Sequence, residues 1–411
     1  MGQTAVEKIL SKACGQTVTP GQIVIAHPDL TWIPSGFGLL AIKAMQELGI
    51  EKVSQPDRAL TWLVEPSFST QIGESDYHLA RWSNAQGIPV IRGGVPTATL
   101  LQYVKPGQLV VGLDSHSPTL GALGCISLAV GDSELGVILA TNSIWLRTPT
   151  TIAFHFVGSL PRGSSAKDAA LKIIKDHGMG VAVYKAVEFL GPGLEKMNLW
   201  SRLTLCNMSV EMGAKAAFIA PDPATLAPLE RQFGEGTEIV RSDENANYEQ
   251  TYQVNLESVT PMVACPDSLA NTTQVANVEG TPVTHAFLGS CTNAWIDDLR
   301  AAARILNGKQ VARGIRMIVA PADNRTMRQA VAEGLVSTFI NAGAVVTHPN
   351  CSMCSSLQNT MGPGEVCISS SGRNFKGRMG HPDSKIYVAS PETVAASAIR
   401  GCITDPRNLE G

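Results

Sequence analysis

The sequence predicts an α/β fold, and three of its features lead to that prediction. Short runs rich in valine and isoleucine, such as residues 22–26 and 108–113, alternate with stretches of helical periodicity, such as residues 39–48. The short runs are apolar at successive positions, which is typical of strands covered on both faces. Glycine and proline separate the runs. We therefore expect βα units built on covered, largely parallel sheets.

The elements follow one another in two stretches of this kind. Strands are predicted over residues 22–26, 59–64, 108–113 and 151–157, with helices over residues 39–48 and 133–146. After residue 280, strands are predicted over residues 285–288, 317–320, 344–347 and 385–389, with helices over residues 296–306 and 325–342 and a last helix that begins at Pro391. A more polar stretch, residues 222–255, lies between them. The predicted domains are residues 1–150, 151–255 and 256–411.

The composition limits the classes of function. The chain has 411 residues, of which 44% are hydrophobic and 16% charged, as in a compact globular protein. A net charge of −3 gives no electrostatic reason to expect nucleic acid or an anionic membrane as a partner. No apolar run is long enough to span a bilayer, and residues 1–8 lack the pattern of a signal peptide. We expect a cytoplasmic protein.

Nine cysteines, an odd number, are more consistent with metal binding, catalysis or burial than with disulfides in such a chain. Cys125 and Cys367 lie inside apolar runs, so we expect both to be small core residues.

Three other cysteines are candidates for metal ligands. Cys291 follows one predicted strand, and the pair Cys351 and Cys354 follows another. Loops at strand ends of one sheet can converge, and thiolates favour iron–sulfur clusters or zinc. Two alternatives stay open for the pair by itself, half of a zinc site and a redox dithiol.

Polar residues at the end of the strand predicted over residues 108–113 are candidates for acid–base chemistry. Asp114, Ser115 and His116 follow it directly, and a carboxylate beside an imidazole orients the ring and raises its basicity. The alternative is a turn whose Asp and Ser cap the next helix.

Two further segments carry candidate binding residues. Arg373 and Arg378 share a loop that contains glycine, and paired arginines suit the carboxylates of small molecules. The alternative is a solvated surface loop. Residues 206–211 are predicted to begin a helix, where Glu211 would be stabilised simply by the helix dipole.

Taken together, these segments resemble the aconitase superfamily, and within it the large subunits of 3-isopropylmalate dehydratase and homoaconitase. The resemblance runs through residues 3–10, Asp114-Ser115-His116, and residues 184–189, 206–222, 289–298, 351–378 and 389–406.

The resemblance implies three α/β domains around a [4Fe-4S] cluster that Cys291, Cys351 and Cys354 hold. One iron without a cysteine ligand would bind the hydroxyl and a carboxylate of a small hydroxy di- or tricarboxylate and act as a Lewis acid. The implied roles are acid–base chemistry for Asp114 and His116, a place beside the iron for Glu211, substrate or network contacts for Ser115 and Asn207, and carboxylate binding for Arg373 and Arg378. The family's swivelling domain, with its serine base, would be a separate small subunit.

The chain departs from the family pattern at its proton-handling residues. An Asp-His pair is replaced in residues 63–67, a second histidine is missing from residues 91–97, and an early His-Asp is missing from residues 32–36. The usual asparagine before the first loop arginine is Gly372. Losing one positioned acid typically costs about 10²–10⁴ in rate. Glu65, Arg92 or a different substrate are the candidates for compensation.

Three functions follow from this pattern. The first is the large subunit of a hydro-lyase or isomerase of the 3-isopropylmalate dehydratase kind. The second is a divergent paralogue that performs another elimination, hydration or isomerisation on a specialised carboxylate. The third is a non-catalytic protein that binds a cluster. The acidic charge balance of the chain is evidence against RNA as its ligand.

Overall fold

A computed structural model describes residues 2–65, 69–223, 225–226, 230, 238–356 and 358–409. The chain divides into two compact units, each made of two segments. Unit 1 comprises Met1–Phe156 and Ala182–Val254, and unit 2 comprises Val157–Val181 and Asn255–Gly411. The division into domains 1–150, 151–255 and 256–411 stays a prediction. Part of the polar stretch at residues 222–255 lies outside the described residues.

The strands of the described residues are β1 (Ile23–Ala26), β2 (Leu30–Pro34), β3 (Ala59–Leu63), β4 (Val90–Arg92), β5 (Leu109–Gly112), β6 (Ile126–Ala129), β7 (Ile144–Arg147), β8 (Thr151–Val157), β9 (Ala186–Leu190), β10 (Ala216–Phe218), β11 (Gln250–Asn255), β12 (Met262–Ala264), β13 (Thr272–Gln274), β14 (His285–Leu288), β15 (Arg316–Val319), β16 (Val345–Val346), β17 (Val366–Ser369) and β18 (Lys385–Ala389).

The α-helices of the same residues are α1 (Ala5–Cys14), α2 (Gly38–Glu47), α3 (Thr70–Gln86), α4 (Pro96–Leu100), α5 (Asp132–Thr141), α6 (Ala166–His177), α7 (Pro192–Glu195), α8 (Leu199–Met208), α9 (Ile296–Leu306), α10 (Asn324–Ala332), α11 (Leu335–Asn341) and α12 (Pro391–Arg400). None of these helices has the length and apolar character that crossing a membrane requires.

Unit 1 is built on a parallel sheet with the strand order β4-β3-β2-β5-β6. Trp32 of β2 pairs with Gly112 of β5, so the residues that follow these two strands leave the sheet at the same edge. A second sheet has the order β10-β9-β8-β11, and β9 is parallel to both β8 and β10. β1 and β7 form a separate antiparallel pair. The α/β prediction is confirmed.

Unit 2 contains a sheet with the strand order β13-β12-β18-β17-β14-β15-β16. Five of its strands, from β18 to β16, are parallel, whereas β12 is antiparallel to both of its neighbours. The carboxyl ends of β14, β16 and β17 therefore lie at one edge of the sheet. The loops that carry the three candidate metal ligands and the arginines all follow these strands.

Two predicted helices were wrong in part. The helix expected over residues 133–146 ends at Thr141, because Asn142 adopts the left-handed conformation (φ 50°), and Ile144–Arg147 is instead strand β7. The helix expected over residues 325–342 is two helices, since Gly334 (φ 74°) separates α10 from α11. An apolar pattern that continues across both breaks concealed them.

Cys125 and Cys367 are core residues, as predicted. Both are fully buried, and burial raises the pKa of each thiol well above its usual range because the thiolate would lose its hydration. Neither has the properties of a reactive or metal-binding cysteine.

Gly121 is required where the 3₁₀ segment Ser117–Leu123 packs on β10. A Cβ atom at this position would lie 2.0 Å from the backbone oxygen of Ala217, which cannot move without disturbing the strand. We expect Gly121→Ala to lower the free energy of unfolding by about 1–3 kcal/mol, measured by urea denaturation. Gly131→Ala is the control, because its nearest atom would be 3.7 Å away. Equal stability of the two variants would contradict the packing described here.

Asp168 near the start of α6 gives unit 2 a predictable dependence on pH. Burial raises the pKa of its carboxyl group to about 7, although Met262 and Ser165 donate hydrogen bonds to it. The folded protein thus keeps a proton that the unfolded chain releases near its ordinary pKa of about 3.9. Stability therefore falls as the pH rises from about 4 to about 7, by up to about 1.4 kcal/mol per pH unit.

The test is urea unfolding of the wild type and Asp168→Asn at about pH 5, 6 and 7. Groups common to both proteins cancel in the difference between their unfolding free energies. The advantage of the wild type over the variant should shrink steadily as the pH rises. A difference that stays constant would show that Asp168 is ionised throughout.

Candidate functional sites in the two units

The loop after β5 holds the predicted Asp114-Ser115-His116 at the carboxyl edge of the unit 1 sheet. Asp114 Oδ1 accepts a hydrogen bond of 2.6 Å from the backbone N–H of His116, and its backbone oxygen accepts one of 2.8 Å from Ser117 Oγ. Asp114 is half-buried and Ser115 is exposed. Asp114 thus closes the turn, but neither Asp114 nor Ser115 caps the 3₁₀ segment Ser117–Leu123, whose N-cap residue is His116 without a side-chain capping bond, so the capping alternative is wrong.

His116 and Glu211 form a buried pair in unit 1. His116 Nε2 lies 3.1 Å from Glu211 Oε1, and the two side chains are each 8% exposed. His116 Nδ1 is 4.0 Å from Asp114 Oδ1 on the other side of the ring. A carboxylate in contact with an imidazole fixes the ring and stabilises its protonated form, which suits acid–base chemistry.

Glu211 and Asn207 do not lie where the sequence placed them. They were expected at the start of a helix, but Asn207 lies at the end of α8 and Glu211 lies in the 3₁₀ turn Ser209–Met212 that follows. Stabilisation of Glu211 by the dipole of a helix that begins at residue 206 is therefore wrong. Asn207 is buried and donates to Thr119 Oγ1 at 2.9 Å, which in turn donates to the backbone oxygen of His116 at 2.6 Å.

A cavity of about 340 Å³ lies beside this turn. Asp114 and Ser115 line it together with Phe37, which follows β2, and with residues 129–132 after β6. The cavity thus opens where three adjacent strands end, the usual place for a ligand in a parallel sheet.

The three candidate cysteine ligands lie in unit 2, at the carboxyl edge of its sheet. Cys291 follows β14 after Ser290, which adopts a left-handed conformation (φ 85°). Cys351 directly precedes the 3₁₀ turn Ser352–Ser355 after β16, and Cys354 lies within that turn. All three thiols are free of disulfides, and Cys354 is buried.

Arg378 connects the three cysteines. Its Nη2 donates to Cys354 Sγ at 3.5 Å. Burial alone would lower the pKa of its guanidinium, but Cys354, Cys291 and Cys351 together raise it. Arg378 is half-buried and bonded to Cys354, so it is not a solvated surface arginine. Arg373 is also half-buried in the same loop.

The three cysteines supply a type of ligand that both a single zinc ion and an iron–sulfur cluster take. Among the described residues, no group of three His, Cys, Asp or Glu side chains is placed to hold one metal ion. Thiolates on a single zinc would stand about 3.8 Å apart, whereas a cubane cluster spreads three thiolates over three irons. Cys291 on one loop and the pair Cys351 and Cys354 on another supply the soft thiolates that an iron–sulfur cluster takes.

The groups at the positions of the missing family residues differ in their surroundings. Glu65 and Arg92 are exposed at the ends of β3 and β4, and Pro66 and Ser67 lie outside the described residues. Thr97 of α4 is buried, and its Oγ1 has no hydrogen-bond partner in the described part of the chain.

Asp76 of α3 is a buried carboxylate that sequence reasoning missed. Ser35 Oγ, just after β2, donates to its Oδ1 at 2.6 Å, and its Oδ2 is buried with no hydrogen-bond partner among the described residues. Burial raises the pKa of Asp76, while the hydrogen bonds from Ser35 and Gly36 and the charge of Arg92 oppose that rise. A sequence signal for its burial is that Asp76, Leu79 and Ser83 are spaced to share one face of a helix, and this face is the buried one in α3.

Comparison with known proteins decides the family. The family model described as aconitase family (aconitate hydratase) matches residues 74–401. The chain belongs to the aconitase family. Proteins of this family are hydro-lyases and bind a [4Fe-4S] cluster.

Individual relatives match the chain over its whole length. It is 41% identical to 3-isopropylmalate dehydratase large subunit 2 of Archaeoglobus fulgidus, with 100% of both chains covered. It is 36% identical to the homoaconitase large subunit of Thermus thermophilus, with 100% of this chain and 99% of that protein covered. The structure of aconitase X from Thermococcus kodakaraensis has the same fold, with a TM-score of 0.50, 12% identity, and coverage of 85% of this chain and 84% of that one.

Proposed function

We propose that this aconitase-family chain is the cluster-bearing subunit of a hydro-lyase of the 3-isopropylmalate dehydratase kind, acting on a small hydroxy di- or tricarboxylate. The observation that carries the proposal is the placement of Cys291, Cys351 and Cys354 in two loops at one edge of the same sheet, with Arg378 donating a hydrogen bond to Cys354. Full-length relatives that bear the names 3-isopropylmalate dehydratase and homoaconitase support the substrate class.

Cys291, Cys351 and Cys354 would hold three irons of the [4Fe-4S] cluster. A cluster held in this way, with one iron left without a cysteine ligand, would supply a Lewis acid for the departure of a substrate hydroxyl. Arg378 orients Cys354 through its hydrogen bond and presents its remaining donors to a carboxylate. Arg373, five residues earlier in the same loop, offers a second guanidinium for another carboxylate.

Unit 1 supplies the acid–base groups. His116 holds a proton at Nε2, and Glu211 keeps the ring in one orientation and favours its charged form. Asp114 closes the turn and faces the cavity after β5, with Ser115 beside it as a substrate contact. Asn207 fixes the backbone of His116 through Thr119.

Asp76 takes part of the proton handling that the missing family residues leave open. Ser35 belongs to the loop after β2 that also carries Phe37, a residue of the Asp114 cavity. Asp76 is thus bonded to the loop that carries Phe37, and burial raises the pKa of its carboxyl group, which favours its protonated form.

The expected result for Asp76→Asn is a loss of about 10²-fold or more in kcat together with loss of one limb of the pH–rate profile. Asp76→Glu should restore part of the rate, since it keeps the carboxyl group. The control is Asp57→Asn, an exposed aspartate of the same unit. An unchanged pH profile in Asp76→Asn would show that the role of Asp76 is purely structural.

A separate small subunit completes the enzyme. The relatives from Archaeoglobus fulgidus and Thermus thermophilus are named large subunits, and this chain covers them from end to end. We expect the small subunit to supply the serine base of the swivelling domain. The cytoplasmic location stays a prediction.

The decisive experiment is anaerobic reconstitution, with iron and sulfide counting and EPR spectra recorded with and without hydroxy acids. Spectral shifts on adding 3-isopropylmalate or homocitrate would identify an open iron and its ligand. Turnover is then measured with the small subunit present. A reconstituted protein with no cluster, or with a cluster that responds to no hydroxy acid, would refute the proposal.

A divergent paralogue is the second candidate, because residues 63–67 and 91–97 lack the family's histidines. Thr97 is also buried there, and its hydroxyl has no hydrogen-bond partner among the residues that the structure describes. The same spectra discriminate between the two functions. A response to other hydroxy acids, with none to 3-isopropylmalate or homocitrate, would favour the paralogue.

A further inference from the structure

Unit 2 contains a fully buried ammonium group that belongs to none of the proposed ligands or carboxylate-binding residues. Lys167 of α6 is 0% exposed. Its Nζ donates to the backbone oxygens of Ser371 at 2.8 Å and Ser370 at 3.0 Å, and to Asn293 Oδ1 at 3.4 Å.

These acceptors belong to the two loops that carry site residues. Asn293 follows Cys291 by two residues, and Ser370 and Ser371 follow β17 and lead to Arg373. The loops are also bonded to each other through Ser370, whose Oγ accepts from Gly289 N–H at 3.0 Å and donates to the Asn293 backbone oxygen at 2.9 Å. We call Lys167, Gly289, Asn293, Ser370 and Ser371 the loop junction.

The energetics of burial make this arrangement specific. Removing an ammonium group from water costs several kilocalories per mole, and that cost is offset only where oxygens surround the group in good geometry. The carbonyl oxygens in turn need a donor, because a buried acceptor without one is also penalised. Lys167 therefore admits one relative placement of the two loops and disfavours others.

We propose that Lys167 is the positioning residue that sets the Cys291 loop against the turn leading to Arg373. The inference rests on the proposed function, because only that function makes a joint placement of a cluster thiol and a carboxylate-binding arginine useful. Lys167 acts through both loops at once, from a helix that precedes them in sequence by more than 100 residues.

The first test needs no cluster. In the cluster-free protein, the rate of alkylation of each cysteine by iodoacetamide is followed by mass spectrometry in the wild type and in Lys167→Met, which keeps an unbranched apolar chain in the buried space. We expect Cys291 to react about tenfold faster in the variant, because its loop loses the hydrogen bond between Lys167 and Asn293 and the loop that is bonded to it loses two more. Cys14 and the buried Cys125, both in unit 1, should react at unchanged rates.

Lys172→Met is the matched control, because it makes the same change on the same helix at a half-exposed lysine paired with Asp176 at 2.8 Å. It should leave the reactivity of Cys291 unchanged. If Lys167→Met speeds every cysteine alike, Cys125 included, the lysine stabilises the fold in general and the proposal is overturned. It is equally overturned if Cys291 reacts at the wild-type rate.

The second test follows the cluster. After anaerobic reconstitution, the rate of iron release to a chelator should rise about 10- to 100-fold in Lys167→Met, with an altered EPR spectrum of the cluster that remains. A wild type that takes up no cluster would count against the proposed function. A wild type that loads normally, with a variant that retains iron equally well, would count against Lys167 alone.

Ser370→Ala keeps the proposal testable if Lys167→Met does not fold. It removes the hydroxyl that joins the two loops and leaves the lysine in place. It should accelerate Cys291 alkylation and iron release in the same direction, and wild-type values for both would overturn the loop junction. Where both single variants fold, the double variant should fall short of the product of their effects, because both act on one contact.

Discussion

Cys351→Ser is expected to abolish the hydro-lyase activity and to leave the protein unable to hold an intact [4Fe-4S] cluster. A serine hydroxyl keeps the shape of the side chain but does not supply the soft thiolate that iron–sulfur clusters select. Cys351 begins the turn that also carries Cys354, so its replacement removes one corner of the site without disturbing a buried strand. Iron and sulfide per chain and the EPR spectrum measure the loss.

The control for this result is Cys402→Ser, at a half-buried cysteine of the same unit that has no proposed role. It should load iron and turn over like the wild type. Stability of the cluster-free proteins is compared by urea unfolding, where Cys351→Ser should differ little from the wild type. Full iron content and an unchanged spectrum in Cys351→Ser would show that Cys351 is not a ligand.

Glu211→Gln is the second change with a large expected effect, a loss of about 10²–10⁴-fold in kcat. The amide keeps the size of the side chain and can still contact His116 Nε2, 3.1 Å away in the wild type, but it no longer favours the protonated ring. Arg373 and Arg378, not Glu211, are the residues proposed to bind the carboxylates of the substrate, so KM should change little. Steady-state kinetics of the reconstituted enzyme with its small subunit measure both constants.

Glu188→Gln provides the matched control. It makes the same isosteric change at another buried glutamate of unit 1, one that accepts hydrogen bonds from Ser242 and Tyr248 and has no proposed part in the reaction. It should cost stability but retain kcat. A similar fall in kcat for both variants would mean that the loss in Glu211→Gln comes from general damage to unit 1.

The fold could be predicted where the local sequence alone identifies a strand or a helix. β8 and β14 are unbroken apolar runs between turn residues, and both were predicted with the bounds that the structure shows. β7 was missed because Ile144–Arg147 continues the apolar pattern of α5, and only its pairing with β1 makes it a strand. Local pattern does not encode a partner that lies more than 100 residues away.

The site residues, too, could be predicted only where the local sequence identifies them. The three cysteines could be proposed from chemistry and from family resemblance, because thiols at strand ends are rare and specific. Asp76 and Lys167 could not, since an aspartate or lysine on a helix is ordinarily a solvated residue. Their importance depends on burial and on partners from distant segments, Ser35 for one and Ser370 for the other.

The discontinuity of unit 2 restricts how this protein can be cut into fragments. A piece that begins at Asn255 contains all three proposed cysteine ligands but lacks Val157–Val181, and with it α6. Met262 would then lose the acceptor that Asp168 provides, and Ser370 and Ser371 would lose the donor that Lys167 provides. The same order applies during synthesis, because more than 70 residues of unit 1 are made between α6 and the sheet on which it packs. Unit 2 can therefore be completed only after the second segment of unit 1 has been made.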